Sequence, residues 1–366
     1  MIALLSNIRK LFNRIADIGW NKGIKNGVEL HKLSYESERA KTNLPSQLVC
    51  SARMKASECL KSAFALQKKA KTKVGKPNSK HCPIRYDARS ATIKLAEGKA
   101  SLVTIDGRQK VTFHLAKFQE HRKDWKVCSS DLCQKNGAYF LHVVVESKSP
   151  DFECSGKTTG IDLGITRPAV TSDNLFFGKK RYREIEARHF RLKRSLQAKG
   201  TKSAKRKLKK LSGKVNRFRD DCDHVLSKRI VHSVPVGTTI VLEDLTNIRK
   251  DVKARKRQRR RLHSWSFHRL RTYIAYKADM LGVKVVYIDP RNTSRGCSRC
   301  QYIDKKNRRT QSEFRCGECG FQHNADLNAS KNIRLKYLAS FGISETSGPS
   351  VNRPIVAASP VTSPFL

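Results

Sequence analysis

The feature that most restricts the fold of this chain is a pair of identically spaced cysteine motifs. Cys297 and Cys300 are separated by two residues, as are Cys316 and Cys319, and fifteen residues lie between the two pairs. Two such knuckles are typical of a zinc ribbon, in which four thiolates surround one Zn²⁺. Chance clustering is the weaker interpretation, because the spacing repeats and the flanks are polar and contain glycine. With four protein ligands, the predicted zinc is structural.

The residue that follows each knuckle differs between the two. Gly320 follows the second knuckle, whereas Gln301 follows the first, at the position that usually carries a glycine. We therefore expect strain in the first turn without loss of a ligand.

The chain is strongly basic. It has 76 Lys and Arg against 31 Asp and Glu in 366 residues, a formal net charge of +45. Such an excess repels itself in a compact monomer, so a polyanion, nucleic acid, is the expected partner. A basic membrane-surface protein is the alternative, but no apolar run approaches the roughly 20 residues that span a bilayer. The cysteine usage favours a reducing interior over a secreted disulfide scaffold.

The pattern of apolar and polar residues changes twice within the first 150 residues. Residues 1–19 have the apolar spacing of an amphipathic helix, packed or shortened, with an organelle transit peptide as the alternative. Residues 21–80 are also helix-like, and they end in a segment with Gly and Pro. From Ala91 to Ser149 apolar and polar residues alternate, with Asp106-Gly107 and Asn136-Gly137 as turn signals. This pattern predicts a small antiparallel barrel or sandwich.

The second half mixes buried strands with helices. The strand candidates between residues 158 and 290 are TTGIDLGI, AVTSDNLFF, TTIVLEDL and VKVVYIDP. A long basic helical stretch, 181–234, precedes the third strand, and a helix over 265–281 precedes the fourth. This order predicts an α/β sheet that carries helices. Residues 345–366, rich in Ser, Pro and Val, are predicted to form a flexible tail.

Three acids lie in unusual settings. Asp162 stands within an apolar strand between glycines, Glu243 ends another apolar strand, and Asp326 begins a helix after the cysteine motifs. Asp326 has an alternative role as the N-cap of its helix. Glu243 and Asp244 have an alternative role in capping the loop after their strand. Asp162 is the hardest to explain structurally, because an unpaired carboxylate is costly to bury. Together the acids suggest a site for Mg²⁺ or Mn²⁺, which prefer oxygen ligands.

The order of these motifs resembles the TnpB (OrfB) family of transposon-encoded proteins, which is related to type V CRISPR effector nucleases. The resemblance rests on GIDLGI, VLEDLTNI, CSRC…CGEC and HNADLNASKNI, and on WSFHRL followed by YKADMLGVKVVYIDPRNTS. It is specific over residues 160–333. A looser similarity extends to LPSQL at residues 44–48 and to the strands after it.

The resemblance implies an RNA-guided DNA endonuclease with an RNase H-like (RuvC) α/β domain. Its three metal-binding acids map onto Asp162, Glu243 and Asp326, which selects Glu243 over Asp244 and gives Asp289 no catalytic role. Two catalytic Mg²⁺ or Mn²⁺ ions, one structural Zn²⁺, a guide RNA and a target DNA are the implied cofactors and partners. A prokaryotic cytoplasm, near the nucleoid, is the implied location.

The implied domain order is an N-terminal helix (1–27), a helical recognition insertion (28–80) and a small wedge-like β-barrel (81–155). A RuvC-like core with a basic helical insertion (156–290) follows, then an inserted zinc ribbon (291–322), a final RuvC segment (323–340) and the tail (341–366).

Two basic runs are the candidate nucleic-acid contacts. They cover residues 181–219 and 250–261, and a solvated face is the structural alternative for any single residue in them. Runs with so few acids destabilise a bare helix by like-charge repulsion, which a bound phosphate backbone removes. A nuclear localisation signal is the other interpretation of the second run. The residues we predict to bind nucleic acid are Arg191, Arg194, Lys205, Lys209, Arg255, Arg257, Arg259 and Arg260.

Two other functions remain open at the level of sequence. One is a guide-independent transposase or resolvase that uses the same acids. The other is a catalytically inactive zinc-ribbon protein that only binds nucleic acid.

Overall fold

A computed structural model describes residues 1–69, 74–135, 137–178, 180–246, 262 and 267–341. The chain divides into two compact units, Met1–Lys148 and Ser149–Leu366. Among the described residues, no helix has both the length and the apolar composition required to cross a membrane.

Three helices open the first unit: α1 (Ile2–Asn21), α2 (Gly27–Ala40) and α3 (Ser46–Lys69). The predicted amphipathic helix is α1, although Ile2 is largely exposed. Its buried face comprises Leu4, Ile8, Leu11, Phe12, Ile15, Ala16 and Gly19. This face contributes to one core with α2, α3 and the first strands, because apolar residues three and four positions apart share a side of a helix.

Six strands complete the first unit: β1 (Ile84–Tyr86), β2 (Ala91–Lys94), β3 (Lys99–Thr104), β4 (Gly107–Thr112), β5 (Lys126–Lys135) and β6 (Ala138–Glu146). They form two antiparallel sheets, ordered β1-β5-β6 and β2-β3-β4. Gly107 makes the predicted turn at a φ of 82°. The antiparallel strands are confirmed, and their closure into a barrel stays a prediction.

A mixed five-stranded sheet organises the second unit. Its strands are β7 (Thr158–Asp162), β8 (Ala169–Thr171), β9 (Phe176–Phe177), β10 (Thr239–Glu243) and β11 (Lys284–Ile288). The order across the sheet is β11-β10-β7-β8-β9. β10 is parallel to both β7 and β11, whereas β8 is antiparallel to β7 and to β9. The predicted α/β fold of this half is confirmed.

The basic stretch between β9 and β10 forms two helices, α4 (Lys180–Lys199) and α5 (Lys202–Val231). The predicted helical stretch is confirmed, and it is divided into two helices at Gly200. Gly200 adopts a φ of 63°, a left-handed conformation that ends a helix. The Thr201 hydroxyl then accepts a hydrogen bond from the backbone N–H of Ala204 at 3.2 Å and caps α5.

Two further helices complete the second unit. α6 (Phe267–Asp279) precedes β11 and packs on α5, where the Arg269 guanidinium pairs with the Asp223 carboxylate at 2.7 Å. α7 (Ala325–Ala339) follows the cysteine motifs and packs against β7, β8 and β10. The sheet, α5 and α6 bury a second core around Ile161, Ile230, Ile240, Leu242, Leu270 and Ile274.

Candidate metal centres and nucleic-acid surface

Asp162 and Glu243 lie side by side at one edge of the mixed sheet. Ile161 pairs with Leu242 across the parallel strands β7 and β10, and Asp162 and Glu243 are the next residues of those strands. Neighbouring strands lie about 4.8 Å apart, so the two acids occupy adjacent positions at the carboxyl edge.

Asp326 reaches the same region from α7. Gly160 of β7 makes this possible, because an added Cβ there would stand 2.3 Å from the Ser330 carbonyl oxygen of the helix. The helix is capped by Asn324, whose side chain accepts hydrogen bonds from the backbone N–H groups of Asp326 and Leu327, each at 3.2 Å. Asp326 is therefore not the N-cap, and the structural alternative for this residue is wrong.

The charges of two of the acids act on the third. Burial is the main cause that raises the pKa of Asp162 well above its usual value, and the charges of Glu243 and Asp326 raise it further. Burial also raises the pKa of Glu243, against the opposing effect of the Thr293 hydroxyl, which donates to Oε1 at 2.5 Å. Close carboxylates with raised pKa values are the arrangement that a bound divalent cation stabilises.

The ligand atoms of the three acids are spread more widely than those of the cysteines. Within the parts of the chain that the structure describes, the four cysteines are the group whose ligand atoms all lie within 4.8 Å of one another. In two-metal sites generally the ions lie about 3.5–4 Å apart, so the ligands of such a site need not all lie as close together as those of a single ion.

Arg308 also belongs to this site, and sequence reasoning missed it. It lies between the two cysteine pairs, and its Nη2 donates to Asp326 Oδ1 at 3.1 Å. Its charge opposes the rise in pKa of both Asp162 and Glu243. Nothing in the sequence distinguishes Arg308 from the other basic residues around it, because the contact arises only when the ribbon folds beside α7.

The neighbouring acids have other partners. Asp244 accepts hydrogen bonds from the Thr246 hydroxyl and from Arg271 Nη1, and Thr246 is the main cause that lowers its pKa. Asp289 accepts a hydrogen bond from the backbone N–H of Arg291 at 3.1 Å and lies 3.7 Å from Lys336 Nζ. Asp289 thus caps the end of β11.

The four cysteines form a compact cluster of thiols. The Sγ atoms of Cys297 and Cys319 are 3.7 Å apart, and those of Cys300 and Cys316 are 3.6 Å apart. Zn–S bonds of about 2.3 Å in a tetrahedron place sulfur atoms about 3.8 Å apart, so the cluster has the size of a zinc site. The backbone N–H of Phe321 is the main cause that lowers the pKa of Cys319 to about 7.

The turn after the first knuckle has the conformation expected from the sequence. Gln301 adopts a φ of 63°, close to the 68° of Gly320 in the second knuckle. The Gln301 side chain donates to the Cys297 carbonyl oxygen at 3.2 Å. A non-glycine residue therefore occupies a left-handed position, which costs free energy for an L-residue, and strain in this turn stays a prediction.

The cysteine ribbon is hydrogen-bonded to α7. Its strands β12 (Glu313–Arg315) and β13 (Gln322–Asn324) lead directly into that helix. The Asn328 side chain donates to the Gly296 carbonyl oxygen at 2.8 Å and accepts from the backbone N–H of Ser298 at 3.0 Å. Asn332 donates to the same Gly296 oxygen at 2.7 Å. These buried amides hold the ribbon against the helix that carries Asp326.

The predicted nucleic-acid contacts fall into two groups. The exposed ones lie on α4 and α5: Arg191, Arg194, Lys205 and Lys209. The other four, Arg255, Arg257, Arg259 and Arg260, lie outside the described residues. Buried Leu196 and Ala204 lie on either side of the turn between α4 and α5, which leaves the long basic side chains on the surface.

Two families match successive parts of this second unit. Residues 142–249 match the family described as "Probable transposase" (OrfB_IS605), and residues 267–333 match the "Cas12f1-like, TNB domain". The first range covers β7 to β10 with Asp162 and Glu243, and the second covers α6, the ribbon and Asp326.

Two curated proteins are similar to parts of this chain. Over 130 residues, 35% of this chain and 29% of the relative, it is 42% identical to the CRISPR-associated endodeoxyribonuclease Cas12f1 of Sulfoacidibacillus thermotolerans. Over 131 residues it is 35% identical to a TnpB-like protein of Methanocaldococcus jannaschii, and that match covers 46% of the relative. The matched regions thus span less than half of these two curated relatives.

A solved structure extends the likeness to the fold of most of the chain. A Cas12f1–sgRNA–target DNA complex matches with a TM-score of 0.65 at 16% identity, over 90% of this chain and 81% of that one. The matches to the two family models and to these relatives confirm the resemblance to the TnpB (OrfB) family and the type V CRISPR effectors.

Proposed function

We propose that this protein is an RNA-guided, divalent-metal-dependent DNA endonuclease that cuts at a RuvC-like site formed by Asp162, Glu243 and Asp326. The observation that carries the proposal is the placement of the acids: Asp162 and Glu243 end neighbouring parallel strands, and Asp326 lies in the first turn of the helix that packs on those strands. The charges of Glu243 and Asp326, which raise the pKa of Asp162, support their closeness. The mixed sheet, with two parallel strands extending three antiparallel ones, supports an RNase H-like core over residues 156–290 and 323–340.

The acids would hold two Mg²⁺ or Mn²⁺ ions. Such ions activate a water and stabilise the leaving 3′ oxygen when they are bound. In the chain itself, the Thr293 hydroxyl orients the Glu243 carboxylate, and the Asn324 cap fixes the first turn of α7 and thus Asp326. Arg308 places a guanidinium beside the acids, where it can pair with the phosphate that is cut.

The net charge and the relatives support nucleic acids as the partners. A net charge of +45 and the exposed basic face of α4 and α5 fit a phosphate backbone. A relative named as an endodeoxyribonuclease and a fold shared with a Cas12f1–sgRNA–target DNA complex support a guide RNA and a DNA target. Sequence choice would then rest mainly on guide pairing, as in other RNA-guided systems.

Cleavage of a matched target tests the proposal. Protein purified with its copurifying RNA is incubated with Mg²⁺ and a DNA library that carries the sequence complementary to that RNA. Asp162→Ala should abolish cutting and leave RNA binding intact. Asp244→Asn is the matched control, because Asp244 pairs with Thr246 and Arg271, and it should cut like the wild type. Retained cutting by Asp162→Ala would overturn the assignment of the site.

Sequencing of the copurifying nucleic acid separates the alternatives. A discrete noncoding RNA supports guided cleavage, whereas Mg²⁺-dependent cutting without such an RNA favours a guide-independent transposase or resolvase. Binding without any product under all of these conditions favours a catalytically inactive zinc-ribbon protein.

We further propose that the four cysteines bind one structural Zn²⁺. Metal analysis of the purified chain should give one zinc per protein, and Cys316→Ser should lose it. The exposed Cys59 lies in α3 of the first unit, so Cys59→Ser should keep the zinc. Equal zinc content in both variants would contradict the assignment.

A further inference from the structure

A large open cavity lies in the second unit, beside the antiparallel edge of the mixed sheet. Its volume is about 700 Å³, within the range of about 300–1,000 Å³ that is typical of ligand sites. Its walls are the loop after β7, strand β9 and the facing sides of α4 and α5. The mechanism proposed above does not use this cavity.

The walls are apolar and partly aromatic although they face solvent. Ile165, Phe176 and Val225 line the cavity and are 40%, 44% and 46% exposed. Tyr182 and Phe218, also in the wall, stack at 5.5 Å with an angle of 19° between the rings. A concave aromatic surface of this kind is a typical site for a flat ligand.

The polar groups of the cavity leave it cationic at its rim. Glu186 pairs with Arg219 at 2.7 Å, and Asp223 pairs with Arg269. Arg183 and Arg229 line the cavity and are exposed, against exposed Asp221. Next to the cavity, the Arg167 guanidinium lies 4.8 Å from the ring centre of Phe176, which is part of the wall. This combination of π faces and guanidinium groups suits a ligand with both an aromatic ring and a phosphate.

The cavity starts close to the catalytic acids. Gly164, in its wall, is two residues after Asp162, and two extended residues span at most about 7 Å. A nucleotide with its phosphate at the acids therefore has bases within reach of the cavity.

From this placement we propose that the cavity binds an unstacked nucleobase of the single DNA strand that is brought to the acids. This inference rests on the proposed function for the identity of the strand. A base in the cavity would fix the register of the strand, because the attached phosphate could not slide past the acids.

A comparison of base-bearing and abasic DNA tests the proposal. The full chain carrying Asp162→Ala, without Mg²⁺, is titrated with a short single-stranded oligodeoxythymidine and with an abasic strand of the same length. The dissociation constant of the abasic strand divided by that of the oligodeoxythymidine measures the contribution of the bases, because both strands carry the same phosphates. Phe176→Ala should reduce this ratio by about 5- to 150-fold, and Phe176→Trp should restore it.

Phe118→Ala is the matched control, because Phe118 is 74% exposed and lies in the first unit. It should leave the ratio unchanged. An unchanged ratio in Phe176→Ala overturns the proposal, and so does an effect seen only with RNA strands. A fall in thermal stability of Phe176→Ala without a change in the ratio also overturns it, because the cavity would then serve packing.

The readout is independent of cleavage. If the ratio does not respond while guided cutting occurs, this inference fails alone. If the ratio responds as expected while no cutting is found with any target, the endonuclease proposal fails and base binding stands.

Discussion

Gln301 occupies a backbone conformation that favours glycine. A non-glycine residue at a φ of 63° is strained by about 1–2 kcal/mol. Substitution by glycine removes this strain, but glycine loses more conformational entropy on folding, which offsets part of the gain in stability. We therefore expect Gln301→Gly to stabilise the zinc-loaded protein by about 0.5–1 kcal/mol, measured by chemical denaturation.

The second knuckle provides the matched comparison for that change. Gly320 has a φ of 68°, so the reverse substitution, Gly320→Gln, should destabilise the protein by a similar amount, about 0.5–1 kcal/mol. If Gln301→Gly is instead destabilising, the hydrogen bond from its side chain to the Cys297 carbonyl oxygen outweighs the backbone strain.

The raised pKa of Asp162 has a consequence for stability when no divalent cation is bound. Burial and the charges of Glu243 and Asp326 raise this pKa in the folded chain above the value of about 3.9 in the unfolded chain. The folded state then binds more protons than the unfolded state, so stability falls as the pH rises from about 4 through the raised pKa.

We expect Asp162→Asn to remove this loss of stability with rising pH. In the presence of a chelator, the stability of the variant relative to the wild type should increase as the pH rises from about 4 through the raised pKa of Asp162, as measured by urea unfolding at a series of pH values. Added Mg²⁺ should reduce the difference in stability between the two proteins. Asp244→Asn is a control of opposite sign, because the Thr246 hydroxyl and Arg271 lower the pKa of Asp244. That variant should lose stability relative to the wild type above about pH 4.

Arg308 competes with a cation for Asp326. Its Nη2 donates to the Asp326 carboxylate at 3.1 Å, so a metal ion must share or replace this contact. We expect Arg308→Ala to tighten Mg²⁺ binding about 3- to 10-fold in the protein without nucleic acid, measured by calorimetric titration. Arg315→Ala, at an exposed position of the same ribbon, should bind Mg²⁺ like the wild type. Weaker Mg²⁺ binding by Arg308→Ala would mean that the guanidinium orders Asp326 instead.

Local sequence patterns predicted individual strands, helices and the cysteine ribbon well. The features that they did not predict depend mostly on tertiary contacts. The strands around Asp162 and Glu243 follow from apolar runs, and the ribbon follows from cysteine spacing. The break at Gly200 was missed because the helical pattern continues on both sides of it. Arg308 and the cavity beside β9 depend on which elements meet in space, and no local pattern encodes that.

The basic face of α4 and α5 gives a prediction for the two helices. Lys205 and Lys209 are exposed and one turn apart on α5, so both can contact the same phosphate backbone. The double variant Lys205→Glu, Lys209→Glu should weaken nucleic-acid binding and reduce the slope of log affinity against log salt by about 2. The control Lys205→Arg, Lys209→Arg keeps both charges and should keep the slope. An unchanged slope in the Glu variant would mean that this face is solvated and does not bind nucleic acid.

At the scale of the whole molecule, each unit has a hydrophobic core of its own. The core of the first unit is built from residues between Leu4 and Leu132, and the cores of the second from residues between Ile161 and Ala325. The acids, the cysteines and the cavity all belong to the second unit. The local geometry of the candidate chemistry therefore depends on residues of one unit.

This division predicts that residues 149–341 fold without the first 148. The fragment has its own sheet, two cores and a complete set of cysteine ligands, and at about 190 residues it is large enough to bury a stable interior. We expect it to bind one zinc and to unfold cooperatively in urea, while the full chain shows a second transition from its first unit. The same fragment with Cys316→Ser should lose the zinc and unfold at lower urea. A fragment that binds zinc but unfolds without cooperativity would show that the sheet needs the first unit for its stability.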